Sequence, residues 1–145
     1  MFDSAIRGKA MTANFTLDPH LAADAVFVAD WGLSRVLLMN DARYPWLILV
    51  PRVANAVELI DLEPQHRAVL TDEIARASQA LKQVAAPAKL NIGALGNIVA
   101  QLHIHIVARN PGDPAWPGPV WGHSPRVPYT DAARDAVLAQ LVNAR

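Results

Sequence analysis

The sequence predicts an α+β fold built on a largely antiparallel sheet, and three observations predict it. Three short β-like runs precede one long amphipathic stretch and two follow it, so strand and helix do not alternate as a doubly wound parallel sheet requires. The first two runs are separated only by residues 31–34 (WGLS), a connection of hairpin length that suits antiparallel neighbours. In the long stretch the apolar period changes from two residues to about 3.6.

Residues 1–14 lack periodicity and read as an N-terminal extension, disordered or a non-native start, with Met11 as good a first residue as Met1. Residues 15–145 read as one domain, since a chain of 145 residues suits a single compact unit. Residues 25–30 (AVFVAD) and 35–39 (RVLLM) are the first strands; 46–50 (WLILV), closed by Pro51, is a continuously apolar and therefore buried third. After a short helical turn around residues 56–60, Leu70, Ile74, Ala77, Leu81 and Val84 fall at steps of four, three, four and three. They form one apolar helix stripe, with Asp72, Glu73, Arg76 and Lys82 largely off it. Pro64 suits a first helical turn and Pro87 closes the pattern, which places the helix at about 64–85. Residues 89–94 (KLNIGA) and 101–109 (QLHIHIVAR) are the last strands, and 130–143 a final helix.

The segment 101–107 carries the candidate chemistry. In a strand Gln101, His103 and His105 share one face, and Leu102, Ile104 and Ile106 the other. Alternate Cα atoms on a face lie ~7 Å apart, so two imidazoles can address one phosphate-sized group. The same H-x-H pair also suits a metal site, but such a site needs a third ligand. His20, His66 and His123 share no spacing with the pair, so no metal is expected. Upstream, residues 91–97 (NIGALGN) place two Gly and two Asn where backbone and amides can meet an anion, a composition that an ordinary β-turn also favours.

These residues resemble the histidine-triad (HIT) superfamily of nucleotide hydrolases and transferases. The likeness runs from about Phe15 to Trp121 and centres on a Q-φ-H-φ-H-φ-φ strand, similar to a bacterial branch with Gln at the first triad position. It implies a HIT-like fold of about five antiparallel strands with one long helix packed on the sheet. It also implies an enzyme that acts at the α-phosphate of a purine nucleotide, either a dinucleoside polyphosphate or a nucleoside phosphoramidate, without a cofactor. His103 maps onto the nucleophile and His105 onto the third triad residue, which bonds phosphoryl oxygens or helps protonate the leaving group. Gln101 takes the first triad position, where it can orient the site but carry no proton. Many members pair the first histidine with another; here that region reads Tyr44-Pro45-Trp46, so this partner is absent too. Asn40, or Asp41 beside it, maps onto the ribose-binding position, and Asn91 and Asn97 onto phosphate contacts. Phe15, Leu17 and Phe27 are possible base-pocket walls or plain core. Arg109 can steer a phosphate or lie solvated at a strand end, with Arg126 a weaker candidate. Alternatives are a non-catalytic nucleotide-binding sensor on the same fold and a His-ligated metal hydrolase.

Composition narrows the classes. Thirteen Lys+Arg balance thirteen Asp+Glu, which argues against a nucleic-acid-coating or anionic-membrane surface but not against one nucleotide held by neutral groups. With no cysteine, disulfides, thiolate catalysis and Cys-ligated metal are excluded. No apolar run approaches the ~18–20 residues that span a bilayer, and residues 1–10 hold no signal-like apolar core, so the expected location is the cytoplasm. A homodimer is implied by the resemblance and fits the 52% hydrophobic content. Six of eleven prolines lie in residues 111–128 with Trp116 and Trp121, which reads as a stiff rim beside the histidine strand.

Overall fold

The computed structural model describes residues 14–144, so the expected extension lies outside the described residues except for Asn14. The elements run α1 (Pro19–Asp24), β1 (Ala25–Asp30), β2 (Ser34–Met39), β3 (Trp46–Pro51), a 3-10 turn (Leu59–Asp61), α2 (Pro64–Ala85), β4 (Lys89–Gly93), β5 (Ile104–Arg109) and α3 (Asp131–Asn143). The strands form one sheet in the order β1-β2-β3-β5-β4, and every pair is antiparallel. The fold is α+β, with a five-stranded antiparallel sheet.

Local chemistry sets the boundaries. Asp18 caps α1 by accepting the His20 N–H at 2.8 Å, and Pro19 fits the first turn without losing a bond. This six-residue helix was not expected from periodicity, being too short to show any. Pro64 opens α2, and Ala86 ends it in the left-handed region at φ 44°. The short helical turn expected around residues 56–60 forms instead over Leu59–Asp61, because the Asp61 carboxylate accepts the Val57 and Glu58 N–H groups at 3.0 and 2.8 Å.

The histidine strand starts later than expected, at Ile104 rather than Gln101. Its pairing with β3 stops at Leu49↔Ile104 and with β4 at Gly93↔His105. Beyond that point Leu102 N–H bonds the Ala56 carbonyl at 2.9 Å, so the chain has left the sheet before the first triad position.

The sheet is covered on both faces. Val36, Leu38, Leu47, Leu49, Ile104 and Ile106 pack with Leu70, Ala77 and Leu81 of α2 and Leu141 of α3. On the other face Leu37, Trp46, Ile48, Val50 and Val107 pack with Leu21 of α1, Tyr44, and Ala115 and Val120 of the proline-rich segment. That segment is therefore part of the core, not a linker. Glu73 corrects the expected helix stripe: it is buried, and its carboxylate accepts Leu33 N–H at 2.8 Å and Ser34 N–H at 3.1 Å. Those hairpin-turn N–H groups would otherwise be buried without partners, which is costly.

Candidate active site

His103 and His105 lie on the face covered by α1 and the proline-rich segment, and their rings meet edge to face with centroids 4.8 Å apart. His103 is held by the backbone two residues before it: its Nδ1 lies 2.6 Å from the Gln101 carbonyl. A carbonyl only accepts, so Nδ1 carries the proton and the Nε2 lone pair is left free. His105 is held the other way round. Its Nδ1 lies 3.0 Å from Trp46 Nε1, an indole N–H that only donates, so Nδ1 holds the lone pair and Nε2 the proton. The site thus leaves Nε2 of each ring without a partner among the described residues.

Burial keeps His105 neutral. Only 8% exposed and set beside His103, its pKa is pushed down to about 3 by desolvation first and by His103 second. Trp46 and Trp121 box the ring at centroid distances of 5.6 and 5.5 Å. Gly93, paired with His105 across the sheet, makes room for this box: a Cβ there would stand 3.3 Å from the Trp121 ring. The glycine read from sequence as a place for close anion approach serves here to admit an indole.

Gln101 faces elsewhere. Its Nε2 donates to the Thr16 carbonyl at 2.9 Å and its Oε1 accepts the Asp18 N–H at 2.8 Å, fastening the N-terminal segment to the start of the histidine strand. His103 and Gln101 border a cleft of about 350 Å³ whose other walls include Val57, Leu59, Ile60 and Leu95. Glu58 is the one charged side chain among its described lining residues. No group of three or more His, Cys, Asp or Glu among the described residues is disposed to hold a metal.

Residues 21–112 match the model of the HIT domain. The chain belongs to the HIT family. It is similar over 93% of its length to a histidine triad protein of Sinorhizobium meliloti 1021, at 44% identity and a TM-score of 0.90, covering 99% of that chain. Histidine triad proteins of Bradyrhizobium japonicum (46% identity, TM-score 0.86, 88% of this chain and 95% of that one) and Marinobacter aquaeolei VT8 (45%, 0.86, 88% and 93%) are similar too. No curated protein matches the chain.

Within this HIT fold the remaining sequence candidates are dispersed. Asn40 Oδ1 accepts Tyr129 N–H at 2.9 Å, and Asp41 is buried against Arg43, whose Nε and Nη2 reach it at 3.0 and 2.9 Å. Burial opposes the Asp41 charge, yet those bonds hold its carboxyl below the usual range. Asn91 accepts from Arg109 at 2.8 Å, whereas Asn97 is exposed. Arg109 is neither a free phosphate guide nor solvated. It is 1% exposed and bonds Asp113 through two nitrogens at 2.7 and 3.0 Å and the Gly118 carbonyl at 2.8 Å. Arg126 pairs with Asp24 at 3.4 Å. Phe15 and Leu17 are partly buried against the histidine-side core, but Phe27 is 56% exposed.

Sequence reasoning missed three parts of the site. Trp46 entered only as a missing histidine, Trp121 only as a rim, and the clamp from Gln101 to residues 16 and 18 not at all. The spacing of Arg109 and Asp113, four residues apart across a proline-glycine turn, was a readable signal for a local ion pair.

Proposed function

We propose that this HIT protein is a nucleotide hydrolase or nucleotidyl transferase, acting at the α-phosphate of a purine nucleotide through a covalent nucleotidyl-histidine on His103. The observation that carries the reading is the 2.6 Å bond from His103 Nδ1 to the Gln101 carbonyl, which leaves a nucleophilic lone pair on Nε2 beside the cleft. His103 Nε2 bonds phosphorus as the bond to the leaving group breaks. The leaving group departs with that electron pair and takes a proton from water. Water then attacks phosphorus and releases neutral His103 with the nucleoside monophosphate; an acceptor phosphate in place of water gives transfer. His105 serves through its Nε2–H, which bonds a phosphoryl oxygen as charge builds there. Gln101 stands at the first triad position, and its contribution runs through its carbonyl rather than its amide. Asn91 and Asn97 are phosphate-side candidates and Asn40 the ribose-side one.

The cleft favours one of the two substrate types. Among its described lining residues the one charge is the acidic Glu58, and its rim is apolar, so a neutral leaving group, as in a phosphoramidate, fits better than a polyphosphate tail. The protein is expected to work as a cytoplasmic homodimer. In support, β4 forms an open sheet edge with Ile92 half exposed, and a sedimentation mass near twice 15.7 kDa is the expected outcome.

The test is intact-mass analysis after brief exposure to a nucleoside phosphoramidate and an alkaline quench, because a phosphorus–nitrogen bond to histidine is labile in acid and stable in base. One added nucleotidyl group on the parent chain, absent from His103→Ala and unaffected by EDTA, is expected. Tight nucleotide binding with neither adduct nor turnover would move the protein to the non-catalytic class.

A further inference from the structure

Trp46 is the first residue of β3, and its side chain is buried. Its indole N–H has one bonding partner, the Nδ1 of His105, which lies 59 residues further along the chain. We infer that Trp46 is a positioning residue of this site: its N–H fixes His105 in the single Nε2–H tautomer, so that His105 serves as a permanent hydrogen-bond donor and not as an acid or base. The inference rests on the catalytic reading above for its effect on turnover, but not for its statement about the ring.

An indole nitrogen donates and never accepts near neutral pH, so a proton on His105 Nδ1 would face another N–H at 3.0 Å. Ring rotation offers no escape, because Trp46, Trp121 and His103 pack around the imidazole at 5.6, 5.5 and 4.8 Å. Nor does an anion stand by to favour an imidazolium. Just before β5 the ionisable group is His103 and on β5 it is Arg109; the loop before β3 gives Tyr44, α1 gives the exposed His20 and Asp24, which pairs with Arg126, and the proline-rich segment gives Asp113, which Arg109 already holds in a two-point pair. β4 places Gly93 opposite the ring, and its one ionisable residue, the cation Lys89, stands opposite Arg109 at the other end of the pair. Desolvation acts in the same direction, keeping the ring uncharged across the working range. A histidine or carboxylate at position 46 could exchange its proton with His105; a tryptophan gives the bond one direction only.

The two rings are therefore not a relay. His103 has its proton turned away onto a carbonyl and its lone pair outward, and His105 has its lone pair turned away onto an indole and its proton outward. No proton needs to pass between them during turnover.

The experiment combines ring 15N NMR with kinetics on the full chain. In the parent protein between about pH 5 and 8, a window that brackets the ordinary imidazole pKa, His105 is expected as one neutral Nε2–H tautomer. An imidazolium or an Nδ1–H signal for His105 in that window would overturn the inference, and it needs neither a variant nor a substrate. In Trp46→Phe an aromatic ring, though a smaller one, is retained and the donor lost. The expected result is mixed tautomers, a new ionisation on the acid side of the kcat profile, and kcat lower by about tenfold with little change in KM. An unchanged tautomer and pH profile in folded Trp46→Phe also overturns it. If the parent protein turns over no phosphoramidate, the catalytic reading fails while the ring assignment stands or falls on the NMR alone.

Discussion

At the C-terminal end of β5 Arg109 bonds Asp113, Asn91 and the Gly118 carbonyl, whereas at the N-terminal end His103 and His105 each have one bonded nitrogen and one without a partner among the described residues. The three side chains lie on the same strand face and are similarly buried, at 1%, 6% and 8% exposure. Burial therefore does not separate structural from chemical groups here. What separates them is that every nitrogen of Arg109 has a protein partner whereas each histidine keeps one nitrogen without one: Arg109 organises the proline-rich cover, and the histidines remain available to a ligand.

The largest expected effect removes an available group. His103→Ala should lower turnover by at least about 10³-fold, since a nucleophile has no substitute, while thermal unfolding shifts by only a few degrees. Comparable loss of stability and activity would show that His103 is as structural as Arg109. Arg109→Met is the inverse: it strands the Asp113 carboxylate and should cost about 3–5 kcal/mol in urea unfolding, with turnover per folded molecule near the parent value.

Acid should act on both ends in the same direction. His105 has a folded pKa of about 3 against an ordinary 6.5, so between those values the unfolded chain binds the proton that the folded one refuses. Stability is full above the ordinary value and falls as pH drops, by about 3 kcal/mol from pH 7 to pH 4. Asp113, held below its ordinary value chiefly by the Arg109 bond, loses its contribution further down, as pH falls through its folded pKa. Chemical denaturation across pH measures the sum; a flat profile above pH 4 would mean that His105 titrates freely. The smallest effect belongs to Gly93→Ala. Its added methyl, 3.3 Å from the Trp121 ring, should cost about 1 kcal/mol and alter the tryptophan near-UV signal beside His105.

Much of this was legible in the sequence. The 3.6-residue stripe from Leu70 to Val84 and the alternation across Leu102–Ile106 are local patterns, and both are set by which side chains must leave water. The family followed from the two histidines and the turn ahead of them. What was not legible depended on contacts between distant residues. Nothing near position 46 indicates that its indole meets an imidazole, and nothing near Gln101 indicates a bond to Asp18. Arg109 was misread although its charge partner Asp113 is only four residues away; the two neutral acceptors that complete its burial, Asn91 and the Gly118 carbonyl, come from other segments. Glu73 looked like a solvent-face residue because the buried N–H groups it caps belong to a hairpin some forty positions earlier.

The Trp46–His105 bond joins residues 59 apart in sequence, and the bonds of Gln101 to Asp18 and Thr16 join residues 83 and 85 apart. The histidine pair is consequently assembled by some of the longest loop closures in the chain, which are slow to form and come after local helix and hairpin contacts. His103 and His105 precede Trp121 in the chain, so the aromatic box around His105 closes only once Trp121 has joined the fold.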